Sequence, residues 1–415
     1  MPILLSVNDL EPGMRLAGNL VNRYSVLLPH GRQLTEMDIT ALRRKFPDMN
    51  VPVLDPVLDH VVEFDNTQQE QEVSLKVRRG VAGVVGKVSS QIRAGVSLDS
   101  KTVSGIQNVI DDMINFLRDN PVTMALVEQS RSWDNYLQEH SANVFYLALL
   151  IGNTLRNYIK QERERLSAAK TIAHGMDITP LATAALFHDL GMVPLEPLFH
   201  KTDPLSMEEV LKIREHPAVG AAALPDNIDP MVKLVIRQHH ENHAGTGYPE
   251  GLTGDQINIF ARIIRVADAY TAAICTRIYR KGKSPVRTLF EMLHGPYRDF
   301  YDPIVLKVLA SIMQPFPIGG KIKLENGCTA VVARYNRRDP FRPEMITAFD
   351  AFGDPVPEDA LQPVYILGES PDHNPAFYDG EDIRYIIQAT AQTPLTPAEL
   401  AALQSTAEVF DLVFP

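Results

Sequence analysis

The feature that most narrows what this chain can fold into is an ordered series of histidines and aspartates in a long stretch of helical sequence. His140 comes first, then His188-Asp189 in LFHDLGM, His216, the pair His239-His240 followed by Glu241, and Asp268. A glycine-rich turn, GTGYP, follows the histidine pair. Any one of these histidines alone is an ordinary hydrogen-bonded core or surface residue. Together they call for a fold in which several helices bring imidazoles and acids to one interior point, the way helical bundles build metal sites. Asp268 lies between Val266-Ala267 and Ala269, and a carboxylate in such an apolar helix is costly to bury unless it is paired or bound to metal.

Local signals set the expected helices. Thr179-Pro180 offers an N-cap and a first-turn proline before LATAALFHDL, with Gly191 as its stop. Ser206-Met207-Glu208-Glu209 reads as a capping box opening a helix that ends at His216-Pro217. Asp229-Pro230 opens MVKLVIRQHH, and residues 259–278 form another apolar helix. This reading puts His188-Asp189, His216 and His239-His240 in the last turns of their helices, where the partial negative charge favours a cation. His30, His60, His174, His200, His294 and His373 are read as ordinary core or surface residues.

The expected fold is mainly α: a helical bundle over residues 126–313, after a helical connector at 63–125, flanked by a β-rich module at 1–62 and an α+β module at 314–415. The first module alternates β-type runs (14–21, 25–28, 51–54) with turn signals, interrupted by one helix starting at Thr35. Glycines weaken the helical expectation for 77–92, whereas 99–117 is a clearer amphipathic helix. KIKLENGCTAVVARY reads as a hairpin about Asn326-Gly327, and Thr396-Pro397 opens a terminal helix.

Composition mainly excludes. A net charge of −11 argues against a nonspecific nucleic-acid or acidic-membrane binder, though metal ions can still make one cleft locally positive. Two cysteines, Cys275 and Cys328, cannot build a disulfide framework. With no signal peptide and no apolar run long enough for a bilayer, the expectation is a soluble cytoplasmic protein without membrane insertion. Association through the apolar helices, as a homodimer or with a signalling partner, is left open.

The segments HDLG, REHPAVG, HHEN with GTGYP, and RIIRVADAYTAAICTRIYR resemble the HD-GYP family, a branch of the HD phosphohydrolases. The resemblance covers about residues 130–312, and VNDLEPGMRLA resembles a small module that often precedes this domain. It implies an all-α core and hydrolysis of the bacterial messenger cyclic di-GMP to pGpG or GMP by a metal-bridged hydroxide, with two or three iron or manganese ions. It also implies ligand roles: His140, His188, Asp189 and Asp268 on one metal, with Asp189 bridging to a second held by His216, His239 and His240. Imidazoles mixed with carboxylates suit iron, manganese or zinc. Tyr136 stands where some members place a glutamate for a third metal, so two ions are expected. Beside Asp189, the catalytic candidates are Arg277 and Arg280, matching the family's phosphate clamp. The substrate-binding candidates are these two arginines, Gly247, Tyr248 and Pro249 of the GYP turn, and Lys201.

Three positions depart from the family pattern. Met192 replaces the lysine of HD-x-G-K, Ala244 an acidic residue of the GYP loop, and Thr271 the second aspartate of a DxxD-like segment. His243, a tryptophan in many members, offers a substitute proton donor. The expectation is a metal-dependent cyclic di-GMP phosphodiesterase, slowed by these losses. The alternative is a metal-containing cyclic di-GMP sensor or docking protein that barely turns over.

Overall fold

The computed structural model describes residues 2–17, 19–22, 25–29, 31–47, 49–54, 67–96, 100–119, 136–166, 177–199, 201, 205–275, 283, 285–313, 316, 321–324, 326–334, 343–357, 363–365, 376–378 and 381–382. Two compact units are present: Met1–Glu72 with Met313–Pro394, and a helical unit based on Val73–Ile312.

In the first unit, β1 (Pro2–Ser6) pairs antiparallel with β4 (Asn50–Leu54), and β2 (Leu20–Asn22) with β3 (Ser25–Leu28). Helix α1 (Glu36–Lys45) opens with a reciprocal box in which Thr35 Oγ1 accepts the Asp38 N–H and the Asp38 carboxylate accepts the Thr35 N–H. Val7, Leu16, Leu34, Ile39 and Val51 close the core between them. The strand expected at 14–21 is realised only at its end. Arg15 and Leu16 instead make single bridges to Gln33 and Val53. Strand β1 was not anticipated, because PILLS lacks the alternation that marks a half-buried strand and its partner lies far along the chain. The same unit holds an antiparallel sheet of β5 (Lys321–Leu324), β6 (Thr329–Arg334), β7 (Glu344–Phe349), β8 (Pro363–Tyr365), β9 (Ala376–Tyr378) and β10 (Glu381–Asp382), in the order β10-β9-β5-β6-β7-β8. The expected hairpin is β5–β6. The expected terminal helix from Thr396 lies outside the described residues.

Helix α2 (Thr67–Arg93), most of which belongs to the helical unit, is one continuous helix despite its glycines. Val73, Val77, Val81, Val85 and Val88 recur on one buried face, and that burial outweighs the weak local propensity. There follow α3 (Ser100–Asp119), α4 (Tyr136–Thr154), α5 (Arg156–Leu166) and α6 (Thr179–Phe187), then a 3-10 turn at Leu190–Leu195 and the short α7 (Glu196–Phe199). The unit continues with α8 (Met207–Arg214), α9 (His216–Ala223), α10 (Pro230–Gln238), α11 (Ile259–Ile274), α12 (Pro285–His294) and α13 (Pro303–Ile312). Helix α4 packs on α6 and α11, and α10 packs on α6 and α9. Their shared interior holds the histidines.

One expectation is corrected. His216 does not close the helix opened by Ser206; it begins α9 after a break at Glu215. Pro217 is the cause, since proline suits the first turn of a new helix and cannot extend the old one. Helix α11 is shorter than the apolar pattern: Cys275 is already extended. Among the described residues no helix is long and apolar enough to cross a membrane.

Candidate metal centre

Each expected ligand comes from a different local device. His140 projects from the first turns of α4, and Tyr136, one turn earlier, stacks on its ring with centroids 5.3 Å apart and planes 8° from parallel. His188 caps the C-terminus of α6, and Asp189 follows it. His239 caps α10, with His240 next, and Asp268 sits in the middle of α11. Three imidazoles share one hydrogen-bond pattern. His188, His216 and His239 each place Nδ1 on the carbonyl three residues back, at Ala185 (2.9 Å), Ile213 (2.7 Å) and Ile236 (2.6 Å). A carbonyl only accepts, so Nδ1 carries a proton, and in the neutral imidazole Nε2 is left with the lone pair that a metal ligand requires.

Those lone pairs converge on Asp189. Its Oδ1 faces His216 Nε2 at 3.3 Å and His239 Nε2 at 3.9 Å, and its Oδ2 faces His188 Nε2 at 3.4 Å and His140 Nε2 at 3.7 Å. Asp268 completes the ring, with Oδ1 2.9 Å from His140 Nε2 and Oδ2 3.9 Å from His240 Nδ1. The potential ligand atoms of Asp189, His216, His239 and His240 lie within 4.8 Å of one another, as do those of His140, His188 and Asp189. All seven expected ligands are therefore brought together. Burial of the five imidazoles is nearly complete.

This arrangement fits a divalent cation on its own chemistry. His216 Nε2 and His239 Nε2 approach to 3.2 Å, and with both Nδ1 protons committed to carbonyls, these two nitrogens need either a shared proton or a metal cation between them. His188 Nε2, His240 Nδ1 and Asp268 Oδ2 are buried without hydrogen-bond partners, a cost that coordination removes. Without metal, burial opposes charge on His188, but the adjacent Asp189 carboxylate wins and lifts the imidazole to about 9. Asp189 itself is held well below the usual carboxylate range, His188 and His216 overcoming the effect of burial. Burial and the charges of His216 and His188 push His239 down to about 3. Burial, with His239, His216 and Arg265, keeps His240 neutral as well.

The GYP loop is tied to this centre through the backbone. Glu241 is not turned to the metal cluster; its carboxylate accepts the N–H of Glu250 (2.6 Å) and of Leu252 (2.9 Å), clamping the loop exit. Gly247 runs so close to the histidine pair that a Cβ would lie 2.2 Å from Asn242 N and 2.5 Å from His240 O. Tyr248 stacks on His240 with centroids 4.8 Å apart, and Arg214 lies 5.1 Å from its ring. The Tyr248 hydroxyl is buried without a partner, while Pro249 is exposed.

The departures each have a structural setting. Thr271 Oγ1 lies 3.4 Å from His140 Nδ1 and within 3.0 Å of the Ala267 and Asp268 carbonyls. One carbonyl can take its proton while it accepts the imidazole N–H, so the threonine keeps His140 oriented in place of an acid. Met192 is buried in an apolar cluster with Val210 and Ile213. Ala244 is exposed and bridges to Thr253. His243 is half-buried, with Nδ1 lacking a partner. Lys201 is engaged by Glu209 at 2.6 Å. Arg277 and Arg280 lie outside the described residues.

Sequence reasoning named Glu241 beside the histidine pair without giving it a role, and passed over Asn242 and Arg265. The last had a visible signal: an arginine one helical turn before Asp268, in a mainly apolar segment that also holds Arg262.

A model of the HD domain matches residues 148–305. The chain is 26% identical over 298 residues to a cyclic di-GMP phosphodiesterase of Pseudomonas aeruginosa, covering 71% of this chain and 67% of that protein. It is 28% identical over 213 residues to a cyclic di-GMP phosphodiesterase of Borreliella burgdorferi, 50% of this chain and 51% of the relative. A cyclic di-GMP phosphodiesterase response regulator of Xanthomonas campestris pv. campestris is 30% identical over 156 residues, 37% of this chain and 39% of its own length. For the last two, what is shared amounts to about half of the relative or less. The HD domain, the GTGYP loop beside the histidine pair and these relatives together support an HD-GYP family protein.

Proposed function

We propose that this protein hydrolyses cyclic di-GMP, cutting a phosphodiester bond to give linear pGpG, or GMP after a second cut. The observation that carries this reading is Asp189, whose two oxygens face two separate sets of imidazoles. A carboxylate so placed suits a pair of cations: one held by His140, His188, Asp189 and Asp268, the other by Asp189, His216, His239 and His240. Iron or manganese matches this mixture of imidazole and carboxylate donors. Bound ions would supply Lewis acidity to the phosphoryl oxygens and a nucleophile drawn from water at neutral pH.

The chain's own residues do the rest. The carbonyls of Ala185, Ile213 and Ile236 hold three imidazoles in the ligating tautomer, and Thr271 orients a fourth. Glu241 fixes the loop that carries Tyr248 against His240. Arg277 and Arg280, in the segment after α11, are assigned to the substrate phosphates. A complete ligand set favours hydrolysis over a binding-only role, since binding alone has little use for a shared carboxylate between two cation sites.

The test is metal analysis of the purified protein, followed by chromatographic separation of products from cyclic di-GMP with manganese, and with ferrous iron under anaerobic conditions. Product that depends on added metal is the expected result. Binding of cyclic di-GMP without product in every metal condition would overturn the assignment.

A further inference from the structure

Two arginines are buried in α11, and they are treated differently. Arg262 is matched by carboxylates, reaching Asp302 at 2.6 Å and also pairing with Glu162. Arg265 is 4% exposed and has no ion-pair partner among the described residues. A buried guanidinium without a counter-ion costs several kcal/mol, so a helix that retains one calls for an anion from beyond the described residues.

Its geometry shows where that anion would sit. Arg265 precedes Asp268 by three residues, so both lie on one face of α11, and Asp268 belongs to the ligand cluster. Arg265 Nε donates to Asn242 Oδ1 at 2.9 Å, and Asn242 Nδ2 donates in turn to Thr246 Oγ1 at 3.1 Å. The guanidinium carbon stands 5.3 Å from the Tyr301 ring centre. These contacts fix the plane of the group, while Nη1 is buried and donates to nothing. Asn242, which holds the guanidinium, follows His240 by two residues, and Tyr248, whose ring stacks on His240, has a buried hydroxyl that also lacks a partner.

We propose that Arg265 is a substrate-binding residue of this centre, its Nη1 holding a non-bridging oxygen of a phosphate group next to the His240 side of the cluster. The proposal rests on the phosphodiester reading above for its substrate. A planar, permanently charged fork is the side chain best suited to such an oxygen. It supplies fixed positive charge inside a site where position 192 contributes only a thioether turned into an apolar cluster.

The test uses the metal-loaded full chain with Arg265→Lys, Arg265→Gln and Arg265→Ala, titrated calorimetrically with inorganic phosphate. Metals per chain and cyclic di-GMP kinetics are measured on the same samples. Arg265→Gln and Arg265→Ala should bind phosphate roughly tenfold or more weakly with unchanged metal content, and KM should rise. Arg265→Lys, keeping the charge, should lose the least. A tether to Asn242 alone gives the reverse order, because glutamine can replace the Nε donor and lysine cannot hold the same plane. If Arg265→Ala fails to fold, the Lys and Gln pair decides the matter. Phosphate affinity in Arg265→Gln equal to wild type, or no phosphate binding by wild type, overturns the proposal. Wild type that binds phosphate through Arg265 but leaves cyclic di-GMP intact would instead sink the phosphodiesterase reading alone.

Discussion

Asp189 offers an oxygen to each histidine set, so its loss acts on both. Asp189→Ala is expected to purify with almost no bound metal and to lose hydrolysis by at least about a hundredfold. His216→Ala touches one set only, and elemental analysis should find it retaining the ion held with His140 and His188. Equal metal content in Asp189→Ala and wild type would contradict the shared carboxylate. A second residue-scale expectation concerns pH in the chelated protein. His239 titrates near 6.5 unfolded but only at about 3 folded. The unfolded chain therefore takes up the proton first, and stability falls as pH drops below 6.5 by about 1.4 kcal/mol per pH unit. His188 is raised to about 9, so its contribution is complete below 6.5 and is lost as pH climbs towards 9. Denaturant midpoints should therefore peak near pH 6.5. A flat profile across pH 5 to 9 would contradict the paired shifts. Metal loading at pH 7 should release a proton from His188, and this release should fade above pH 9.

At the scale of elements, the 3-10 turn after Asp189 and the start of α9 touch backbone to backbone. A Cβ on Gly191 would lie 2.1 Å from His216 O. Gly191→Ala must push these elements apart, at about 1–3 kcal/mol, and should lower metal affinity because His216 is withdrawn from Asp189. Normal melting and normal metal content in this variant would show that the close approach is dispensable. Met192 sits with Val210 and Ile213. Restoring the family's lysine there places an ammonium among apolar side chains, and Met192→Lys is expected to melt several degrees lower. An unchanged Tm would mean that the side chain escapes the cluster.

At the scale of the molecule, the proposed ligands come from α4, α6, α9, α10 and α11 together with the Asp189 turn, so bound ions tie most of the helical unit together. Ligand linkage then contributes about 2.7 kcal/mol for each site at a metal concentration a hundred times its Kd. Chelation should lower the melting of the helical unit and leave the module built on Val7, Leu16 and Val51 as a separate, metal-independent transition. A single transition unmoved by chelator would contradict that division.

Much of this was legible without coordinates. The helical texture, the caps at Ser206 and Asp229 and the hairpin at Asn326-Gly327 follow from local periodicity and capping chemistry, because each depends on neighbours along the chain, while the seven candidate ligands follow from residue type, their order and the resemblance to the HD-GYP family. Other features depend on partners far away. β1 was invisible because its partner is β4, and α2 was underrated because its buried valine face outweighs its glycines. His216 was assigned to the wrong helix because Pro217 permits either an end or a beginning. The division of Asp189's two oxygens between two histidine sets, the use of Glu241 as a loop clamp, and the unpaired guanidinium of Arg265 could be decided only in three dimensions. Sequence names the donors and acceptors, but distances of 3 to 4 Å between side chains on different helices are set by packing.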